Sequence, residues 1–166
     1  IGLLDRPEEE RVFGQTLFEW LPVGGWQVDV GFYVDPLAVA MALFITGVGT
    51  LIHLYSVGYM HGDENYSKFF LYLNLFAFSM LVLVLGDNLL LTFLGWEGVG
   101  TCSYLLISFW YHLPAAATAG KKAFLMNRVG DAGLVLAIFL MFATLGTTQF
   151  EAVFTGAGAL ASGTIL

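Results

Sequence analysis

Long apolar stretches alternate with short polar connections along most of the chain. Residues 36–62, 69–86 and 132–150 contain no Asp, Glu, Lys or Arg. A membrane hydrocarbon core of about 30 Å is crossed by roughly 20 helical residues at about 1.5 Å each, so stretches of this length can span it. The pattern predicts four transmembrane helices, at about 36–58, 68–86, 88–111 and 121–145. We therefore interpret the chain as an integral membrane protein.

The connections between the predicted helices are short, which favours antiparallel neighbours in a compact bundle. All three lysines lie on one side of that bundle: Lys68 begins the second helix, and Lys121 and Lys122 begin the fourth. Because cytoplasmic connections carry an excess of basic residues, we expect the lysine side to be cytoplasmic. The start of the first helix then faces the outside.

Residues 1–35 differ from the rest and are predicted to form an extracytoplasmic N-terminal segment. Residues 5–22 suit a short surface segment, and apolar side chains recur at every second position from Trp26 to Val34, which indicates a β-hairpin. Asp35 and Pro36 then suit the first turn of a helix. Residues 146–166 are predicted to form a loop before a further helix, and we expect the sequence to be a fragment of a longer protein. The fold class is an all-α integral membrane protein of about four transmembrane helices, with a short hairpin before them.

Composition agrees with this interpretation and excludes several functions. Apolar residues make up 58% and charged residues 11%, against roughly 45–50% and about 25% in soluble domains. A net charge of −7 with six Lys and Arg makes nucleic acid a poor partner. One cysteine, Cys102, excludes a disulfide framework, and no motif for a metal, haem, iron–sulfur cluster or nucleotide is found. We expect no cofactor and no catalytic residue in this chain, and any redox chemistry to take place on other chains.

Glu97 is the most informative residue, because it lies near the middle of the third predicted helix. A carboxylate at that depth costs at least about 2.5–3.5 kcal/mol, so it should face protein or water. Thr101, Tyr104 and Ser108 follow at +4, +7 and +11 and form a polar stripe on the same face. Burial disfavours the charged carboxylate and a nearby cation restores it, which suits proton transfer. The alternative is a structural glutamate that only joins helices.

Arg128, Asp131 and His53 are the other candidate proton-translocation residues. Arg128 and Asp131 are three residues apart and can pair along one helix face. Arg128 could instead bind other carboxylates and leave Asp131 to tune Glu97, or the pair could be purely structural. His53 could relay protons near neutral pH, although a lone histidine among apolar neighbours is more often a packing residue.

Several segments of this sequence resemble the subunit L family of bacterial NADH-quinone oxidoreductase, respiratory complex I. The matching stretch runs from about Val34 to Gly146, and its centre around Trp96, Glu97 and Gly98 is highly specific to this family and its relatives, the large subunits of Mrp sodium/proton antiporters. The segments are residues 35–37 (DPL), 59–63 (YMHGD), 66–70 (YSKFF), 86–91 (GDNLLL), 94–106 (LGWEGVGTCSYLL) and 127–131 (NRVGD).

The resemblance implies an antiporter-like subunit of the membrane arm, a multi-pass protein of the cell inner membrane whose partners are the other membrane-arm subunits, the bilayer and protons. It also implies that Glu97 pairs with a lysine on a later helix, beyond this sequence, and that Asp131 modulates this pair. Quinone reduction elsewhere in the complex would then change the separation of the pair and move a proton. Two alternatives stay open: a stand-alone Mrp-type cation/proton antiporter subunit, and a structural membrane scaffold.

Overall fold

A two-stranded hairpin precedes the helices in the computed structural model, which describes Pro7, residues 11–23 and residues 26–158. Strands β1 (Phe13–Val23) and β2 (Trp26–Val34) pair antiparallel, and the register shifts at two points of β1. The hairpin confirms the prediction made from β2. The sequence did not predict β1 because its two register shifts interrupt the alternation of apolar side chains. Residues 24–25, between the two strands, lie outside the described residues.

Four long helices follow: α1 (Pro36–Tyr59), α2 (Tyr66–Leu85), α3 (Leu89–Ile107) and α4 (Pro114–Leu145). Each is long and apolar enough to cross a membrane, which confirms the predicted fold class. The carboxylate of Asp35 caps α1 by accepting a hydrogen bond of 2.6 Å from the Ala38 N–H. Asn88 caps α3 by accepting one of 2.9 Å from the Leu91 N–H. Both side chains satisfy donors that a helix start leaves unpaired.

The helix bounds differ from the predicted ones between α3 and α4. Helix α3 ends at Ile107, where 111 was predicted, and α4 begins at Pro114, where 121 was predicted. Proline suits the first turn of a helix because its missing N–H has no partner to lose there. A short helix, α5 (Phe150–Ala157), lies within the 146–166 segment that was predicted to be a loop.

Consecutive helices are neighbours: α1 packs on α2, α2 on α3 and α3 on α4. At one end of the bundle, the α2–α3 turn contacts both β2 and residues 148–150. Asn88 Nδ2 donates to the Asp29 carbonyl at 2.8 Å, and the Leu89 N–H donates to the Thr148 carbonyl at 2.9 Å. At the other end, Trp110 Nε1 donates to Asp63 Oδ2 at 3.0 Å. The bundle therefore has two distinct polar ends.

Candidate proton-translocation site

Three charged side chains meet between α3 and α4, within the apolar part of the bundle. Glu97 lies on α3 and faces α4, where its Oε2 forms an ion pair and hydrogen bond with an Arg128 terminal nitrogen. Arg128 Nε lies 3.2 Å from Asp131 Oδ2, one turn further along α4. The structure thus brings together Glu97, Arg128 and Asp131, which we call the charge cluster. Both pairings considered for Arg128 from the sequence are present at once.

Burial increases from one member of the charge cluster to the next. The side chains of Arg128, Glu97 and Asp131 are 33%, 25% and 7% exposed, respectively. The guanidinium also lies over the Phe124 ring, 4.6 Å from its centroid, a favourable cation–π arrangement. A charge that is removed from water needs such partners to offset the loss of hydration.

Trp96 completes the surroundings of Asp131. Its indole Nε1 donates a hydrogen bond of 2.7 Å to Asp131 Oδ1. Asp131 Oδ2 and Arg128 Nε are buried and have no hydrogen-bond partner within the described residues, so their 3.2 Å contact is an ion pair without hydrogen-bond alignment. The Trp96 contact was not predicted from the sequence, because a tryptophan in an apolar helix is ordinarily assigned to packing.

The glycines of α3 differ in how closely the neighbouring helices approach them. A Cβ on Gly100 would lie 3.4 Å from Asn127 Nδ2 and 3.5 Å from an Arg128 terminal nitrogen, which are ordinary contacts, so the packing of α4 on α3 does not require this glycine. Gly95 and Gly98 lie on the other side of α3, against Leu83 and Ser79 of α2. Small residues at such contacts are typical of helix packing in membranes.

The predicted polar stripe, which follows Glu97 toward the C-terminal end of α3, lies only partly against α4. The Tyr104 ring packs on Phe124 at 5.4 Å between centroids. The Ser108 hydroxyl donates to the Tyr104 carbonyl at 2.6 Å and lies next to Gly120. Thr101 is exposed on the surface of the described residues. The role of the stripe in proton transfer stays a prediction.

His53 is separate from the charge cluster and lies at the contact between α1 and α2. Its Nδ1 is 2.7 Å from the Gly49 carbonyl, which can only accept, so Nδ1 carries the proton. Its Nε2 is buried and has no hydrogen-bond partner among the described residues. The ring lines an apolar cavity of about 220 Å³. No described contact joins His53 to Glu97.

Two acidic residues outside the membrane-spanning helices have shifted proton affinities. Burial raises the pKa of the Asp87 carboxyl, and the Asp29 carboxylate raises it further, although hydrogen bonds from Asn88 and Gly31 oppose the shift. At the opposite end, the Trp110 indole N–H and the Asn65 N–H lower the pKa of Asp63. Among the described residues, no group of three His, Cys, Asp or Glu could hold a metal ion.

Comparisons with known families match two consecutive parts of the chain. Residues 20–70 match the N-terminal model of complex I NADH-ubiquinone oxidoreductase chain 5. Residues 86–166 match the transmembrane model shared by NADH:quinone oxidoreductase and the Mrp antiporter. The second match includes the whole charge cluster.

Curated relatives agree with the family models. NADH-quinone oxidoreductase subunit L of Mycobacterium tuberculosis is 57% identical over 93% of this chain and 24% of that protein. The Escherichia coli subunit L is 50% identical over 86% of this chain and 23% of that protein. The chain therefore spans about a quarter of the length of these relatives.

A solved structure shows the same fold. The chain superposes on a protein of the Mrp complex from a Dietzia species with a TM-score of 0.73 and 28% identity, covering 91% of this chain and 16% of that one. The predicted multi-pass location in the inner membrane is confirmed by the family and by the four apolar helices. The chain belongs to the antiporter-like family of membrane subunits that includes subunit L of NADH-quinone oxidoreductase and its Mrp relatives.

Proposed function

We propose that the chain is part of a proton-translocating membrane-arm subunit of NADH-quinone oxidoreductase. In this proposal, buried charged residues carry protons while electron transfer from NADH to quinone takes place on other subunits. The observation that supports it best is the charge cluster between two membrane-crossing helices. Ionisable residues at such positions are costly and most often serve ion pathways.

The charge balance of the cluster suits a proton-binding site. Two carboxylates share one guanidinium, so the fully ionised cluster carries one unbalanced negative charge. Binding one proton makes the cluster neutral and can leave Arg128 paired. Because the three groups are in contact, their protonation is coupled and belongs to the cluster as a whole.

A second cation would let Glu97 exchange a proton during turnover. The resemblance to the family implies a lysine on a later helix that pairs with Glu97. Two unit charges 4 Å apart interact by about 4 kcal/mol at an effective dielectric constant of about 20, which is enough to expel or attract a proton. Glu97 would then exchange between Arg128 and this lysine as the complex turns over. Thr101, Tyr104 and Ser108 would border the approach to Glu97, and His53 would serve a separate step.

A Mrp-type cation/proton antiporter subunit is the second candidate, and the fold shared with the Mrp complex supports it. Both candidates place the chain in a multisubunit membrane assembly and use the charge cluster. They differ in the energy source, which is electron transfer in one case and an ion gradient in the other. A scaffold subunit would need no ionisable Glu97.

Glu97→Gln in the full-length subunit, assembled in its native complex, tests these candidates. We expect NADH-driven proton pumping into membrane vesicles to be largely lost while the complex still assembles, because glutamine cannot exchange a proton. Glu64→Gln is the matched control, since Glu64 is exposed in the loop before α2, and it should pump normally. Unchanged pumping in Glu97→Gln would reject the proposal and leave a scaffold. Loss of cation/proton exchange in a protein that shows no NADH-linked pumping would select the antiporter.

A further inference from the structure

Trp96 contacts one carboxylate of the charge cluster and is next to the other in sequence. We propose that Trp96 is a positioning residue that holds Asp131 in place and thereby keeps Arg128 available to Glu97. The inference rests on the proposed function of the charge cluster and assigns it a further member. It concerns the placement of the ionised side chains, since Trp96 itself exchanges no proton.

The hydrogen bond from Trp96 is well placed for this role. Its indole N–H donates to Asp131 Oδ1 at 2.7 Å, and Asp131 as a whole is only 5% exposed. Within the described part of the chain, this N–H is the sole hydrogen-bond donor to the Asp131 carboxylate, because Oδ2 has none. A hydrogen bond from a neutral donor to a buried carboxylate stabilises its ionised form and fixes its orientation.

Arg128 divides its donors between two carboxylates, and this makes the position of Asp131 important. Its Nε faces Asp131 and a terminal nitrogen faces Glu97. Without the indole N–H, Asp131 would depend on Arg128 alone. A guanidinium and a carboxylate prefer a bidentate arrangement with two aligned hydrogen bonds. Arg128 would therefore turn toward Asp131, and Glu97 would lose part of its cation.

The division of Arg128 between its two carboxylates depends on the charge cluster itself, because no described contact joins another ionisable group to it. On α3 and α4, the charged groups that face Asp131 are Glu97 and Arg128. Helix α2 packs on α3, but its ionisable residues, Tyr66, Lys68 and Tyr72, lie in its first two turns, and no described contact joins them to the cluster. A change at Trp96 should therefore appear as a change in the pH profile of pumping.

Trp96→Phe in the full-length subunit, measured in the assembled complex, tests the inference through the pH profile of NADH-driven pumping. Loss of the N–H should weaken the contact of Arg128 with Glu97 and shift the profile toward higher pH, by no more than about one unit, the size expected for a whole hydrogen bond to a charged group. Trp96→Gln places a non-titrating N–H donor at the same number of bonds from Cβ and should restore most of the original profile. Trp110→Phe is the matched control, because it also removes an indole N–H from a carboxylate, but at Asp63.

A double substitution separates positioning from packing. In an Asp131→Asn background, Trp96→Phe should cause little further shift, since the charge that Trp96 holds is already gone. Additive shifts would overturn the inference, and so would an unchanged profile in Trp96→Phe. If Trp96→Phe does not assemble, assembly and a normal profile in Trp96→Gln support the hydrogen bond, whereas failure of both assigns the effect to the bulk of the indole and overturns it. Normal pumping in Glu97→Gln would instead reject the proposed function, independently of any result at Trp96.

Discussion

Single residues decide the chemistry of this protein because so few of them are charged. Of the 166 residues, six are Lys or Arg, and one of the six, Arg128, is placed between two carboxylates inside the bundle. The sequence predicted that Glu97 would face protein or water, and that Arg128 and Asp131 could pair along α4. It could not predict that one guanidinium would serve both carboxylates, since Glu97 and Arg128 are 31 residues apart.

Asp87 provides a test of electrostatics at the hairpin end of the bundle. Burial raises the pKa of its carboxyl above the value in the unfolded chain, with a smaller contribution from Asp29. Folding therefore favours the protonated form, and stability decreases as pH rises through the unfolded and then the folded pKa. Asp87→Asn should raise the melting temperature of the detergent-solubilised protein at pH 7 and reduce the loss of stability between pH 4 and pH 7. The asparagine oxygen can still accept the hydrogen bond from Asn88.

Asp29→Asn is the control for this prediction, because it removes the smaller, repulsive contribution and leaves Asp87 buried. Its effect on the melting temperature at pH 7 should be weaker than that of Asp87→Asn. An equal or larger effect would show that repulsion, and not burial, dominates. Thermal melting curves of both variants between pH 4 and pH 7 compare the contributions of burial and repulsion.

At the scale of secondary-structure elements, the helices are joined by close backbone contacts. Gly95 of α3 lies against the Leu83 backbone of α2, where a Cβ would overlap Leu83 atoms, and it is buried. Two helices can approach this closely only where one lacks a side chain. This contact fixes the rotation of α3, and with it the direction in which Glu97 points.

Gly95→Ala should force α2 and α3 apart and destabilise the protein by about 1–3 kcal/mol, the usual cost of overpacking. Gly133→Ala in α4 is the matched control, because a Cβ there meets no atom within 4 Å in the described part of the chain. It should be neutral or slightly stabilising, since alanine favours a helix over glycine. Thermal unfolding in detergent compares the two variants, and equal stability would contradict the tight α2–α3 contact.

Element boundaries were less predictable than element type. Charge-free stretches identified four membrane-crossing helices because hydrophobicity along the chain is a local property. The start of α4 at Pro114 was missed because residues 114–120 carry no strong apolar pattern, and they become helical as part of a 32-residue helix. Strand β1 was missed because two irregularities interrupt its alternation, and its pairing with β2 determines its conformation.

The whole molecule has two polar ends of different composition. The hairpin, the α2–α3 turn and residues 148–150 meet at one end, and the loops that contain Asp63 and Trp110 meet at the other. The lysines lie toward the second end, which the positive-inside rule assigns to the cytoplasm. This orientation of the bundle in the membrane is a prediction, and a labelling experiment can test it.

Single cysteines in the full-length protein test this orientation. Cys102 is fully buried, so its background reaction should be low. Gln27→Cys on the hairpin should react with a membrane-impermeant maleimide in intact cells, whereas Glu64→Cys at the opposite end should react only after the cells are permeabilised. Both positions are exposed in the structure. The reverse pattern would place the hairpin in the cytoplasm.

The sequence by itself determined the membrane location, the four helices, the hairpin and the residues that carry charge into the bundle. The reason is that the length of an apolar stretch and the position of a charge are local properties of one segment. The tertiary structure decided how those residues combine. Trp96 meets Asp131 across 35 residues, and Asn88 meets Asp29 across 59. Such contacts depend on the rotation and axial position of one element against another. Those are set by close packing at positions such as Gly95, which a pattern along the chain does not record.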